Sequence, residues 1–358
     1  MNKIDVRWKI RTSDGTDFER ASELRKRFSS DEGSDRRSCE PDYYRWKLFS
    51  NPFKMGFLNV SDDDGNIVGI TTLTPKVILT QSGECLGSEI GDTFTHPDFQ
   101  RQGMFSKLVN FTRNLAESQE IQLIYGTPNH LSLPGYNKLN FCEVSSLGVY
   151  NWILPLDYKK TVVKRFGNSM LNRIVGSVAG VILPLWSRNA IKSKSSQVCR
   201  VTEFTSEIEG MTQKASKNYD WIVKRDRRYL DWRFISNPDN YHIWVCRREG
   251  EVVGYLVTKI GKFADLRVGY LADFLVNEEC KDVFAELCAS AIDHFRSENV
   301  DMVSSWAIKD GYYQKNLTRF GFIRYKPVPV ICDNNNWGAV LIAKPMRWHF
   351  TMADSDNI

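Results

Sequence analysis

The chain has no cysteine pair at C-x-x-C spacing and only five histidines among its 358 residues. Its eight cysteines, at 39, 85, 142, 199, 246, 280, 288 and 332, are scattered. A structural zinc site and a redox dithiol are therefore not expected, and no metal is assigned. Long hydrophobic runs are also missing. The most apolar stretch, Met170–Trp186, is short for a membrane span and carries Asn172, Arg173 and Pro184. The opening MNKIDVRWKIRTSDG lacks the apolar segment of a secretory signal, which points to a reducing cytoplasmic setting. The excess of one charge sign is small: a net +5 argues against a protein that coats DNA, so no DNA partner is expected. With 42% hydrophobic and 25% charged residues, the composition is that of a globular chain, and its length fits two or three domains.

The charge is unevenly placed. Residues 151–200 hold nine lysines and arginines against the single acid Asp157. Apolar residues from Val162 to Trp186 fall largely on one helical face, with the basic residues elsewhere. This segment reads as an inter-domain helix, or alternatively, over residues 159–194, as a peripheral contact with an anionic inner-membrane surface.

Either side of it the chain repeats itself. PDYYRWKLFSNPF (41–53) returns as RRYLDWRFISNPDN (227–240), which aligns Trp46 with Trp232 and Lys47 with Arg233. DGNIVGITTLTP (64–75) parallels EGEVVGYLVTKI (249–260), and SEIGDTFTHPDF (88–99) parallels GYLADFLVNEEC (269–280). LIYGTPN and PGYNKLNFCEV (123–144) parallel SSWAIKDGYYQKNLTRFGFIRY (304–325). The sustained order implies two copies of one domain. The repeated Trp-x-x-x-Ser-Asn-Pro segment reads as structural, with a substrate-stacking role as the alternative.

Periodicity gives the first copy the order β-α-α-β-β-β-α-β-α-β. Strands are expected at 6–11, 55–61, 66–75, 88–95, 121–125 and 141–152, and helices at 18–28, 41–49, 103–118 and 133–139. Such an order builds a mixed sheet with helices on both sides. The expected division is a first domain at 1–157, a basic linker at 158–198, a second domain at 199–350 and an acidic tail at 351–358.

The richest local chemistry is GDTFTHPDFQRQGMFSKLV (91–109). A strand ends at Thr95, a Pro-containing turn follows, and Gln100-Arg101-Gln102-Gly103-Met104-Phe105 opens a long helix. Helix N-termini leave amides unpaired and carry partial positive charge. Gly103 clears a side chain from that point and Arg101 adds charge, so the junction can cradle a pyrophosphate.

This junction resembles the acyl-CoA motif [Q/R]-x-x-G-x-[G/A] of the GCN5-related N-acetyltransferase (GNAT) superfamily, with Phe105 in place of the final small residue. The segment GTPNHLSLPGYNKLNF (126–141) resembles that family's closing motif through Asn129 and Tyr136, with Asn140-Phe141 standing for Gly-Phe. The resemblance implies an α/β fold of two tandem GNAT-like domains, each a mixed, mostly antiparallel sheet flanked by helices. It implies acetyl-CoA or another acyl-CoA as co-substrate. Thr93, Phe94 and Thr95 would hold the pantetheine arm and Gln100, Arg101, Gln102, Gly103, Met104, Phe105 and Ser106 the pyrophosphate, with Asn129 nearby. Acyl transfer to an amine would be direct, with Tyr136 as general acid. Asp92 and Glu89 are the candidate bases, expected on opposite strand faces because of their odd spacing. His130, Asp354 and Asp356 are candidates for the acceptor side.

The second copy carries Asn277-Glu278-Glu279-Cys280-Lys281-Asp282 where the cradle would lie. Its acids would repel pyrophosphate, so this copy reads as degenerate. The overall resemblance is to bacterial polysaccharide-pathway acetyltransferases, which suggests a small-molecule or sugar amine acceptor. The alternatives are a tandem-lobed aminoacyl-tRNA-dependent transferase and a non-catalytic acyl-CoA-binding scaffold.

Overall fold

The computed structural model describes residues 7–28, 40–161, 196–280, 282–334 and 346–355. The basic segment and its helix from residue 162 to 195, with the membrane contact suggested for it, lie outside them, as does Asp356.

The first half opens with β1 (Lys9–Thr12), α1 (Phe18–Phe28) and α2 (Pro41–Tyr44), the last running into a π-helical turn at Arg45–Phe49. β2 (Phe57–Asp63) and β3 (Asn66–Thr80) form the expected hairpin, and β4 (Gly83–Thr95) returns beside β3 along its whole length. Both strands outrun their sequence expectation because a second tight turn at Gly83 (φ 117°) extends the pair. α3 (Met104–Ser118), β5 (Leu123–Gly126), α4 (Leu133–Lys138) and β6 (Phe141–Glu143) follow. Gly69 decides how α3 sits: a Cβ there would lie 2.6 Å from Met104 Sδ. Its neighbour Ile70 joins a separate cluster with Phe18 and Leu24 of α1. Successive strand residues point to opposite faces, so α1 and α3 cover the two sides of the sheet.

The single strand expected at 141–152 is two strands. A 3-10 turn at Ser145–Leu147 and Gly148 in the left-handed region (φ 58°) break it, and β7 (Val149–Pro155) leaves for the other sheet. The second half contains β8 (Ser196–Val201), α5 (Ser206–Ser216), β9 (Trp221–Val223), α6 (Arg227–Leu230), β10 (Tyr241–Arg248), β11 (Glu251–Phe263) and β12 (Leu266–Val276). α7 (Val283–Ser297), β13 (Met302–Ile308), α8 (Tyr312–Arg319), β14 (Ile323–Pro327) and β15 (Ile331–Asp333) complete it.

The sheets exchange strands. The first has the order β1-β2-β3-β4-β5-β15-β6, with β9 pairing β3 at the side, and the second β14-β7-β13-β12-β11-β10-β8. The expected boundary at 157 therefore follows the repeat in sequence but not the sheets. β7 of the first copy lies between β13 and β14 of the second, and β15 of the second lies between β5 and β6 of the first.

The repeated tryptophans meet where the copies join. Trp46 and Trp232 stack at 5.0 Å between ring centres. Trp46 Nε1 donates to the Trp232 carbonyl at 2.8 Å, and Trp232 Nε1 donates to that of Trp46 at 3.2 Å. This reciprocal contact gives the motif a structural role, with each indole satisfying the other copy's backbone where water is excluded. Asn51 completes its own copy by donating to Pro75 O and capping Phe53 N.

Candidate active site

β4 runs parallel to β5 only from Gly87 to Glu89, opposite Leu123 to Tyr125. Beyond Glu89 the two strands separate, because a bulge shifts the β3–β4 register between Gly91 and Phe94. Asp92 takes a left-handed conformation there (φ 48°). A bulge bends its strand and re-aims the side chains that follow. The opened wedge is part of a cavity of about 900 Å³.

The cradle stands at the end of this wedge. Pro97–Phe99 makes one short turn, Arg101 (φ 60°) reverses the chain, and Gly103 (φ 80°) caps α3. Gln100 and Gln102 fold back onto Thr95 O and Asp98 O. The first helical amides, Met104 to Ser106, have no carbonyl a turn earlier to accept them. A Cβ on Gly103 would meet nothing within 4 Å. Thr95 Oγ1 is buried with no partner. Open space, unpaired amides and an orphan hydroxyl along an unpaired strand edge fit a diphosphate joined to an extended amide-bearing arm. Arg101, Gly103, Met104, Phe105 and Ser106 line the cavity, as do Thr93, Phe94, Thr95, Gln100 and Asn129, whereas Gln102 does not.

The departure at Phe105 has a local explanation. Its ring lies over Gly135 of α4, where a Cβ would come within 2.6 Å of it, and edge-on to Tyr136 at 5.1 Å. The bulk at the end of the motif is thus taken up against α4.

Tyr136 is buried, and its hydroxyl is 2.7 Å from Thr93 Oγ1, which in turn is 2.9 Å from Thr71 Oγ1. Burial holds this phenol well above a tyrosine's usual range; the Thr93 hydrogen bond opposes the shift, while the negative charges of Asp92 and Glu89 reinforce it. Tyr136 is protonated at neutral pH and faces the wedge.

Glu89 and Asp92 were expected on opposite faces, yet both line the cavity. The bulge between them resets the alternation. Both are engaged. Asp92 takes Arg25 Nη1 at 2.6 Å, Lys47 Nζ at 2.8 Å and Thr72 Oγ1 at 3.2 Å. It ties the bulge to α1 and to the π-helical turn. Glu89 accepts from buried Lys76 Nζ at 2.8 Å. Asn129 also has local work: its Oδ1 caps the turn into α4 by accepting from Leu131 N and Ser132 N. His130 is exposed and off the cavity wall.

Asp354 is corrected. Expected on the acceptor side, it is instead fully buried, off the cavity wall, and accepts from Arg225 Nη2 at 3.0 Å. Arg225 also holds Asp273, the counterpart of Asp92, and Tyr255 donates to Asp273 at 2.5 Å. The tail is drawn in because this guanidinium, far above its usual range between two buried carboxylates, needs both. The Asp354 carbonyl then accepts from Lys76 Nζ and Tyr125 Oη, so the tail braces the floor beneath Glu89.

The second copy repeats the backbone of the cradle but closes it. α7 starts from Asp282 in the same left-handed step (φ 67°). β12 meets β13 only from Val268 to Leu271. The gap beyond is filled: His349 Nε2 hydrogen-bonds Phe274 O at 2.8 Å, and Val276 N donates to Tyr313 Oη at 3.2 Å. The strand edge left open in the first copy is occupied here.

Sequence reasoning missed the other wall of the cavity. Asn151, Trp306, Lys326 and Val328 reach it only through the strand exchange. Lys47 did carry a signal, a cation directly after each repeated tryptophan, because its counterpart Arg233 is likewise fully buried.

The sheet order and the bulged strand opening onto a helix N-terminus define a two-lobed acyltransferase fold. Residues 9–144 match the profile of an acetyltransferase (GNAT) domain, and residues 207–322 that of the acetyltransferase (GNAT) family. The chain belongs to the GNAT superfamily and carries two of its domains in tandem. Similar solved structures include a GCN5-related N-acetyltransferase from Anabaena variabilis, at 12% identity and a TM-score of 0.61, covering 91% of this chain and 72% of that one. Saccharomyces cerevisiae N-myristoyltransferase with bound myristoyl-CoA is similar at 12% identity and a TM-score of 0.66, covering 93% and 80%. A probable N-acyltransferase from Enterococcus faecalis is similar at 12% identity and a TM-score of 0.61, covering 91% and 72%. At these identities the likeness is one of fold. No curated protein sequence matches the chain. Among the described residues, no helix is long and apolar enough to cross a membrane.

Proposed function

We propose that the first lobe binds an acyl-CoA, acetyl-CoA in the simplest case, and that its acyl group passes directly to a primary amine such as that of an amino sugar. The observation that carries this reading is the shared cavity: the wedge between β4 and β5, the open N-terminus of α3 and Tyr136, with its hydroxyl partner Thr93, all line one space. The yeast N-myristoyltransferase, which holds myristoyl-CoA on the same fold, is a precedent. Among the described residues, the wedge of the second lobe is sealed, which supports assigning the acyl-CoA to the first lobe.

Bound there, the thioester supplies an electrophilic carbonyl and a thiolate leaving group. The amides of Met104 to Ser106 and Arg101 hold the diphosphate, and the β4 edge from Thr93 to Thr95 aligns the arm. Tyr136, kept protonated, donates a hydrogen bond to sulfur as charge develops. Its raised affinity for its proton keeps it a hydrogen-bond donor to the departing thiolate, which is the weaker base of the two. Glu89, on the wall where the strands part, accepts the amine's proton at its carboxylate, with Lys76 fixing its position. Asp92 holds the bulge through Arg25 and Lys47.

Tyr136→Phe tests this reading. Turnover, followed as thiol release from acetyl-CoA, should fall about 100-fold or more, with CoA affinity unchanged by calorimetry. Undiminished turnover would remove Tyr136 from the mechanism, and a chain with no affinity for CoA would end the proposal.

A further inference from the structure

On the reading above, the amine attacks inside the shared cavity, and the second sheet contributes the wall of that cavity facing away from the first-lobe strands. One row of polar and aromatic side chains crosses that wall. Trp306 on β13 is the direct partner of Asn151 on β7, and Asn151 is the direct partner of Lys326 on β14. Direct cross-strand partners point to the same sheet face. A bulge creates the row: the β14–β7 register shifts between Arg324 and Lys326, which leaves Tyr325 unpaired and sets Lys326 opposite Asn151. All three residues line the cavity.

The row offers donors. Ser304 Oγ donates to Asn151 Oδ1 at 2.8 Å, which orients the amide and leaves Nδ2 to donate elsewhere. Among the described residues, no acceptor takes Asn151 Nδ2, Trp306 Nε1 or Lys326 Nζ. Lys326 is exposed, has no acid partner there and rests over the Tyr325 ring. The two acids on the cavity wall, Glu89 and Asp92, are held by cations of the first lobe. Three donors and an aromatic face with no local carboxylate suit an anionic oxygen group.

We infer that the Trp306–Asn151–Lys326 row is an acceptor subsite for an anionic group, carboxylate or phosphate, so that the amine acylated by this chain also carries negative charge. The amine points toward the β4–β5 wedge while its anion docks on the row. Trp306 would also pack against the body of the acceptor, as a sugar ring would require.

The full chain with acetyl-CoA can be offered paired amines: glucosamine against glucosamine 6-phosphate, and alaninamide against alanine. The charged member of one pair should be used with a kcat/KM about tenfold or more above its neutral partner, and which pair responds separates phosphate from carboxylate. Lys326→Met should erase that preference while leaving the KM for acetyl-CoA within about twofold. Neutral amines used as well as charged ones would overturn the inference. So would a Lys326→Met defect that falls on acetyl-CoA, since the row would then serve the nucleotide phosphates. If no amine is acylated, calorimetric titration of the CoA-saturated protein with inorganic phosphate decides. Binding weakened about tenfold by Lys326→Met would keep the subsite and sink the acyl-transfer reading; absence of binding would sink the subsite.

Discussion

On the proposed reading, Gly103 is the position where one atom decides whether a phosphate can approach. Its φ of 80° lies in the left-handed region, and nothing stands within 4 Å of where a Cβ would be. Gly103→Glu should therefore fold, with a local cost of about 1–2 kcal/mol for a side chain in that conformation. It should also lose CoA binding, because a carboxylate would occupy the anion's place at the helix N-terminus. Calorimetry checks this, and unchanged affinity would mean that the phosphates lie elsewhere. The same scale explains why Phe105 is tolerated at a place where the family has a small residue: Gly135 has no side chain to collide with its ring.

At the scale of elements, the C-terminal segment acts as an inserted plug. His349 within it is fully buried, and burial together with the nearby Arg225 charge pushes its imidazole down to about 3. Its folded value lies below the ordinary 6.5, so the native state binds fewer protons than the unfolded chain. This contribution is complete above pH 6.5, is lost as pH falls below it, and is gone near pH 3. Urea unfolding at pH 7, 5.5 and 4.5 should show a declining stability with a slope of up to about 1.4 kcal/mol per pH unit from this group. His349→Gln, which keeps a donor for Phe274 O, should flatten that decline; an identical decline would place the acid sensitivity elsewhere. The tryptophan-bearing turns form the second elemental contact. Trp46→Ala and Trp232→Ala should each cost about 3–5 kcal/mol. Because the two rings share one interface, the double variant should lose less than the sum of the singles.

For the whole molecule, the exchange of β7 and β15 makes each sheet depend on the other copy. Residues 1–161 or 196–358 produced alone should fail to fold, since each would expose a gap in its sheet and half of the shared aromatic core. Produced together they should assemble and bind CoA. A first fragment that folds and binds CoA by itself would show that β15 is dispensable to the site. The exchange also brings Asn151, Trp306 and Lys326 to a cavity whose other wall belongs to the first copy.

Much of the fold was legible in advance, and the reason is local. Helices at 18–28 and 103–118 follow from apolar periodicity, and a hairpin of strands 55–61 and 66–75 from alternation around a polar turn, although its second strand runs on to Thr80. The repeat announced two copies, because recurring order survives where residue identity does not. Three features were not legible. The destination of β7 depends on which sheet has a free edge. The common facing of Glu89 and Asp92 depends on a bulge whose register only the partner strand sets. The burial of Asp354 depends on Arg225, which is distant in sequence. The sequence alone determined the superfamily resemblance and the place of the proposed phosphate cradle, since both are written within short stretches of chain. The tertiary structure alone decided which charges are already paired and which side chains line the second wall of the cavity, because those are settled between residues that meet only after the two copies interlock.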